Sequence, residues 1–144
     1  MKAGGFTFIE VMVVLSCIVV LTAVGTTLPL HLFEKQETND FFQLFDSDLI
    51  YLQQSAMLSS ERNALYLDPE GHEYTIRTGG TARIILSRKI PKSWNIELRT
   101  LKMPLSFNSK GTIKQPGTMI IHTNKRRYKV VFPLGKGRHY YEEL

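Results

Sequence analysis

The chain has 144 residues, which suits one domain of ordinary size, and carries 18 basic against 13 acidic side chains. Its single cysteine, Cys17, excludes an internal disulfide. The charge is unevenly placed. Residues 34–61 hold Glu34, Glu37, Asp40, Asp46, Asp48 and Glu61 against Lys35, a net of −5, whereas residues 62–144 hold 16 bases against six acids, a net of +10. An acidic stalk with a basic head is expected. Such a head suits a polyanion, either nucleic acid or wall polymer. The plainer reading is solubility or an acidic neighbour.

The first element is a long apolar helix. From Phe6 to Leu28 the only charged residue is Glu10. These 23 residues would rise about 35 Å as helix, enough for a hydrocarbon core about 30 Å thick. Pro29 removes a backbone donor and is expected to kink or break the helix there. Lys2 precedes the run, and Glu34, Lys35 and Glu37 follow it, so the amino end is expected in the cytoplasm and the bulk of the chain outside. Cys17 inside the run reads as a small apolar filler, with a crosslink between subunits as the rarer alternative.

Glu10 is the anomaly, because a carboxylate in an apolar helix costs several kcal/mol in lipid. Its place makes sense if the chain is cut after Gly5. Phe6 then becomes the amino terminus, one helical turn from Glu10, and the carboxylate can meet the terminal ammonium of a neighbouring subunit. At about 4 Å and an effective dielectric near 20 that pair is worth about 4 kcal/mol before desolvation. Two rival processing schemes fit less well. A secretory signal peptide has a shorter apolar core and no acid at its start. A lipoprotein signal around Val14-Leu15-Ser16-Cys17 would leave the apolar Ile18-Val19-Val20-Leu21 redundant.

Gly5-Phe6-Thr7-Phe8-Ile9-Glu10 resembles the prepilin motif of type IV pilins, type II secretion pseudopilins and competence pseudopilins, with Phe8 where leucine is usual. The resemblance implies cleavage after Gly5, N-methylation of Phe6 and an assembly role for Glu10.

Residues from His31 to Ser60 form a second, amphipathic stretch of helix. Phe41, Phe45, Leu49, Leu52 and Ala56 recur at spacings of three and four and define one face, which Phe42, Leu44, Ile50 and Met57 widen. That face is expected to pack on the chain's own sheet, and the acids to lie on a solvated side. Beyond residue 62 the period becomes that of strands. Strands are expected at Ala64–Asp68, His72–Arg77, Ala82–Ser87, Asn95–Leu101, Leu105–Asn108, Gly117–Thr123, Arg127–Pro133 and, last, Arg138–Tyr141. Turns are expected at Asp68-Pro69-Glu70-Gly71, Thr78-Gly79-Gly80, Asn108-Ser109-Lys110-Gly111 and Asn124-Lys125-Arg126. The result is an α+β chain: a long N-terminal helix, transmembrane and then amphipathic, packed on a C-terminal antiparallel β-sheet head. Its parts are a leader (1–5), a transmembrane half-helix (6–28), an amphipathic half-helix (29–61) and a β-rich head (62–144).

Leu105-Ser106-Phe107-Asn108 before Gly111, the following hairpin, and Leu134-Gly135-Lys136-Gly137-Arg138 resemble minor pseudopilins of the type II secretion H class and of the Gram-positive competence system. Ile96-Glu97-Leu98, Thr100-Leu101-Lys102 and Thr26-Thr27-Leu28-Pro29 are most similar to the competence members. That resemblance implies a structural subunit of a pilus that takes up transforming DNA. It implies as partners other competence pseudopilins, the prepilin peptidase, an assembly ATPase and a polytopic membrane platform, and a cell-surface location after assembly. The alternative is an H-class pseudopilin of protein secretion. The tail His139-Tyr140-Tyr141-Glu142-Glu143-Leu144 carries no such likeness.

No enzyme site is expected. His31, His72, His122 and His139 lack metal-ligand spacing, and Gly135-Lys136-Gly137 is too short for a phosphate loop, so no metal or cofactor is expected. Lys125, Arg126 and Arg127, with Tyr128 beside them, form a candidate DNA contact in which the bases bind phosphate and the ring stacks a base. The competing reading is a solvated hairpin tip whose charge guards a sheet edge.

Overall fold

The structure is a computed structural model that describes residue 5 and residues 7–25, 30–58, 62–79, 83–135 and 138–144. Phe6, the expected break at Pro29, the expected helix end at Ser59–Ser60, Gly80, Ala82 and Lys136–Gly137 lie outside the described residues. The chain divides into two compact units, Met1–Glu37 and Thr38–Leu144.

In the first unit, helix α1 spans Phe8–Gly25. Its apolar side chains are exposed on every side, from Phe8 and Ile9 to Val20 and Leu21. A helix apolar all round needs an apolar solvent or a covering partner. Its few polar side chains turn back on the backbone. Ser16 Oγ donates to Val13 O at 2.8 Å, and Thr22 Oγ1 reaches Ile18 O and Val19 O at 2.8 and 3.0 Å. These bonds leave few polar groups for lipid to desolvate. Among the described residues no helix is long and apolar enough to cross a membrane. The 18 residues of α1 rise about 27 Å, just short of a hydrocarbon core about 30 Å thick.

Helix α2 spans Leu30–Leu58, and from Thr38 onward it belongs to the second unit. Phe41, Phe45, Leu49 and Leu52 face the core as the spacing predicts. Leu44, Ile50 and Met57 do not widen that face; they are exposed. The head has two sheets rather than one. Strands β1 (Ala64–Asp68), β2 (Glu73–Thr78) and β3 (Arg83–Lys89) form an antiparallel meander. Strands β4 (Asn95–Leu98), β5 (Gly117–His122), β6 (Arg127–Phe132) and β7 (Tyr140–Glu143) form a second. Both donate to one core: Leu65, Tyr74 and Ile76 from the first sheet, and Ile96, Met119, Ile121, Val130 and Phe132 from the second, join Phe45, Leu49, Leu52 and Trp94.

The expected turn at residues 68–71 forms, with Asp68 Oδ1 accepting the Gly71 amide at 3.0 Å. The expected strand Leu105–Asn108 does not. It makes only single bridges, Leu65 with Leu105 and Phe107 with Ile113, because its backbone turns at once into the Asn108–Gly111 loop. The bridge at Leu105 still ties the β4–β5 connection of the second sheet to β1 of the first. Gly117 opens β5 where a Cβ would stand 2.5 Å from Leu101 Cα, so only glycine lets β5 pass that backbone. The last strand is shifted: β7 runs Tyr140–Glu143 rather than Arg138–Tyr141, and it closes the second sheet against β6.

Two aspartates on α2 bind the head together, each to a different sheet. Asp48 is buried; its Oδ2 accepts from Tyr74 OH at 2.8 Å and from Arg88 Nε at 3.1 Å. Asp46 Oδ1 lies 2.6 Å from His139 Nε2 and also takes the Tyr141 hydroxyl. The expectation that these carboxylates lie on a solvated face therefore fails for Asp48, whose partners come from β2 and β3.

Burial, aided by the Asp48 carboxylate, pushes the Tyr74 phenol well above the usual tyrosine range. Burial, then Asp46, does the same to Tyr141. A proton held more tightly in the folded state makes stability complete below the ordinary tyrosine value of about 10 and falling as pH rises past it. Each tyrosine should contribute a slope of about 1.4 kcal/mol per pH unit above that point. Unfolding measured from about pH 9 to pH 11 should show the loss, and Tyr74→Phe and Tyr141→Phe should each flatten it.

Candidate functional site

The processing motif sits where the chain enters α1. Gly5 and Thr7 precede the first helical residue, Phe8. Gly5 is exposed, and nothing lies within 4 Å of where its Cβ would be. Among the described residues, Gly5, the residue before the expected cut, is thus uncovered and non-helical. Phe6, the expected methylation site, is outside the described residues.

Glu10 lies exposed in the first turn of α1. Its Oε2 accepts the Thr7 amide at 3.4 Å, while its own amide donates to Thr7 Oγ1 at 3.4 Å. This reciprocal pair is a capping box, Thr7-Phe8-Ile9-Glu10, in which the N-cap hydroxyl and the acid three residues later satisfy two of the free amides at the helix start. Sequence reading assigned Glu10 to assembly and missed this local role, although the threonine and glutamate spacing announces it. Acid in the first turn also complements the helix dipole. Before any partner is present, the carboxylate therefore has hydrogen bonds of its own.

The three basic candidates meet at the tip of the β5–β6 hairpin. The turn is closed by Thr123 N to Arg126 O at 2.9 Å and by the Thr123 hydroxyl. Lys125, Arg126 and Arg127 are all exposed. Tyr128 stays beside Arg126 and, after Glu143, helps to hold its guanidinium charged. The half-buried Tyr128 ring packs edge-on against Phe42, with ring centroids 5.0 Å apart. Arg126 Nη1 is 2.9 and 2.8 Å from the two oxygens of Glu143, and that carboxylate holds the guanidinium pKa above its usual value. Among the described residues no group of three or more His, Cys, Asp or Glu is placed to hold a metal ion.

Comparison with known proteins places this geometry. The family model for the prokaryotic N-terminal methylation motif matches residues 1–26. Competence protein ComGD of Bacillus subtilis (strain 168) is 30% identical over 135 residues, which span 93% of this chain and 90% of that protein. The chain belongs to the ComGD family of competence pseudopilins. Two structures of the minor pseudopilin EpsH from the type II secretion system of Vibrio cholerae share the fold. One has a TM-score of 0.53 at 16% identity, covering 70% of this chain and 92% of that one. The other has a TM-score of 0.50 at 16% identity, covering 69% and 88%. As a member of the ComGD family this chain is a pseudopilin, a structural protein and not an enzyme, and it has the pilin-like α+β fold. Its prepilin-type motif is that of a membrane-anchored pseudopilin whose partners belong to the pilus machinery.

Proposed function

We propose that this pseudopilin is cut after Gly5 by the prepilin peptidase, N-methylated on Phe6, and assembled with other competence pseudopilins into a short pilus that enables uptake of transforming DNA. Before assembly it is held in the cell membrane, amino end in the cytoplasm and head outside. It is drawn into the pilus by an assembly ATPase acting through a polytopic membrane platform, and it reaches the cell surface there. The observation that carries the reading is the ComGD relationship along nearly the whole chain, joined to a prepilin motif whose Gly5 is uncovered.

Glu10 supplies the assembly preference. In lipid its carboxylate is costly, and the Thr7 contacts offset only part of that cost. The ammonium of a neighbour's mature terminus replaces them with a charge pair. The same proposal extends to direct contact between the pilus and DNA through Lys125, Arg126 and Arg127, which the exposed hairpin tip supports.

An in-frame deletion tests the function. Transformation should fall to background and return when the chain is supplied in trans. Undiminished DNA uptake, with loss of a secreted protein instead, would move the chain to an export apparatus.

A further inference from the structure

The C-terminal strand β7 lies along β6 with its two acids on the hairpin's bases. Glu143 is registered opposite Tyr128 and reaches forward to Arg126; Glu142 is opposite Lys129, whose Nζ stands 3.1 Å from its Oε2. The Leu144 amide extends the ladder by donating to Arg127 O at 2.9 Å. Four bases, Lys125, Arg126, Arg127 and Lys129, thus share one edge of the head with two carboxylates brought there by the tail.

Both ion pairs are about half exposed: 53% and 50% for the side chains of Arg126 and Glu143, 39% and 54% for Lys129 and Glu142. Pairs this wet are worth about 0–1 kcal/mol, so a phosphate can take the place of either carboxylate at small cost. The strand itself is held more firmly. Tyr141 packs on Phe42 with ring centroids 4.5 Å apart and bonds to Asp46 on α2. The acids can therefore swing off the bases while β7 stays in the sheet. Tyr128 is half-buried with its ring against Phe42, so the surface offers charge more than an open ring face for stacking. It suits the backbone of duplex DNA, read without regard to sequence.

We infer that Glu142 and Glu143 act as a tethered competitor for the phosphodiester backbone of duplex DNA at the β5–β6 hairpin, holding that surface partly neutralised until phosphate displaces them. This rests on the DNA contact proposed above and adds its regulation by the tail.

The test uses the full chain in detergent micelles and a labelled duplex, with binding followed by fluorescence anisotropy across a salt series. Glu142→Gln with Glu143→Gln frees two bases, so the log–log salt slope should steepen by about 1.8. The double variant should bind about tenfold more tightly than wild type near 50 mM salt and converge on it near 200 mM. Adding Arg126→Gln and Lys129→Gln, which removes the two freed bases, should abolish the gain. If the glutamine pair binds as wild type does while loss of Arg126 and Lys129 weakens both, the hairpin contacts DNA and the tail does not compete, which overturns the inference. If no form binds even at low salt, the DNA contact beneath it is wrong. Circular dichroism matching wild type confirms that each variant is folded.

Discussion

Asp48→Ala is expected to cost about 2–4 kcal/mol of stability and to lower the unfolding temperature by about 10 °C or more. Asp48 is buried on α2, accepts from Tyr74 OH at 2.8 Å, and holds Arg88 by Nε at 3.1 Å and Nη2 at 3.4 Å. Removing it strands a buried hydroxyl and a guanidinium that folded around a carboxylate. Arg88 keeps 39% of its side chain in water, so solvent repairs part of the loss and the lower half of the range is expected. Asp48→Asn should cost less, about 1–2 kcal/mol, because the amide oxygen still accepts from Tyr74. Thermal unfolding of the full chain in detergent, followed by near-ultraviolet circular dichroism, reads both. A change under about 0.5 kcal/mol for alanine would mean that apolar packing alone fixes the first sheet on the helix.

The second large effect concerns Glu10, and three substitutions separate its two roles. Glu10→Ala removes both the cap and the charge. If the pair with a neighbour's terminus is worth about 4 kcal/mol before desolvation, assembly should fall by up to about a thousandfold, and transformation with it. The variant should nonetheless enter the membrane at least as well as wild type, since a carboxylate in lipid is lost. Glu10→Gln keeps a capping box, for which glutamine serves as well, but abolishes the charge; it should fail in assembly like alanine. Thr7→Ala removes the cap hydroxyl and keeps the charge, at a cost of about 1 kcal/mol in the helix start, and should assemble. Pilus-associated protein recovered from sheared cells distinguishes these outcomes. Assembly retained in Glu10→Gln and lost in Thr7→Ala would assign Glu10 to capping alone.

Much of this architecture was readable from pattern. The apolar run that becomes α1, the spacing of Phe41, Phe45, Leu49 and Leu52, and the hairpin about Asn124–Arg126 each follow from local periodicity, which the backbone obeys. What escaped depends on partners distant in sequence. Alternation marks strands but does not say that β3 and β4 belong to different sheets. Asp48 looks like any helix-surface acid until Tyr74 and Arg88 arrive from 26 and 40 residues away. The tail Tyr140–Glu143 has no apolar alternation; its register comes from the Tyr141 contacts with Phe42 and Asp46 on α2. The Thr7–Glu10 box is the opposite case, since its Thr-x-x-Glu spacing is wholly local and legible in the sequence.

The central claim is that this chain is a processed pseudopilin, and the mature amino terminus tests it most directly. Mass spectrometry of the protein from cells with an active prepilin peptidase should find a chain beginning at Phe6 and bearing one added methyl group on its terminal nitrogen. A mature chain that still carries Met1 to Gly5 in such cells would contradict the account, because Glu10 would then have no neighbouring terminus to meet.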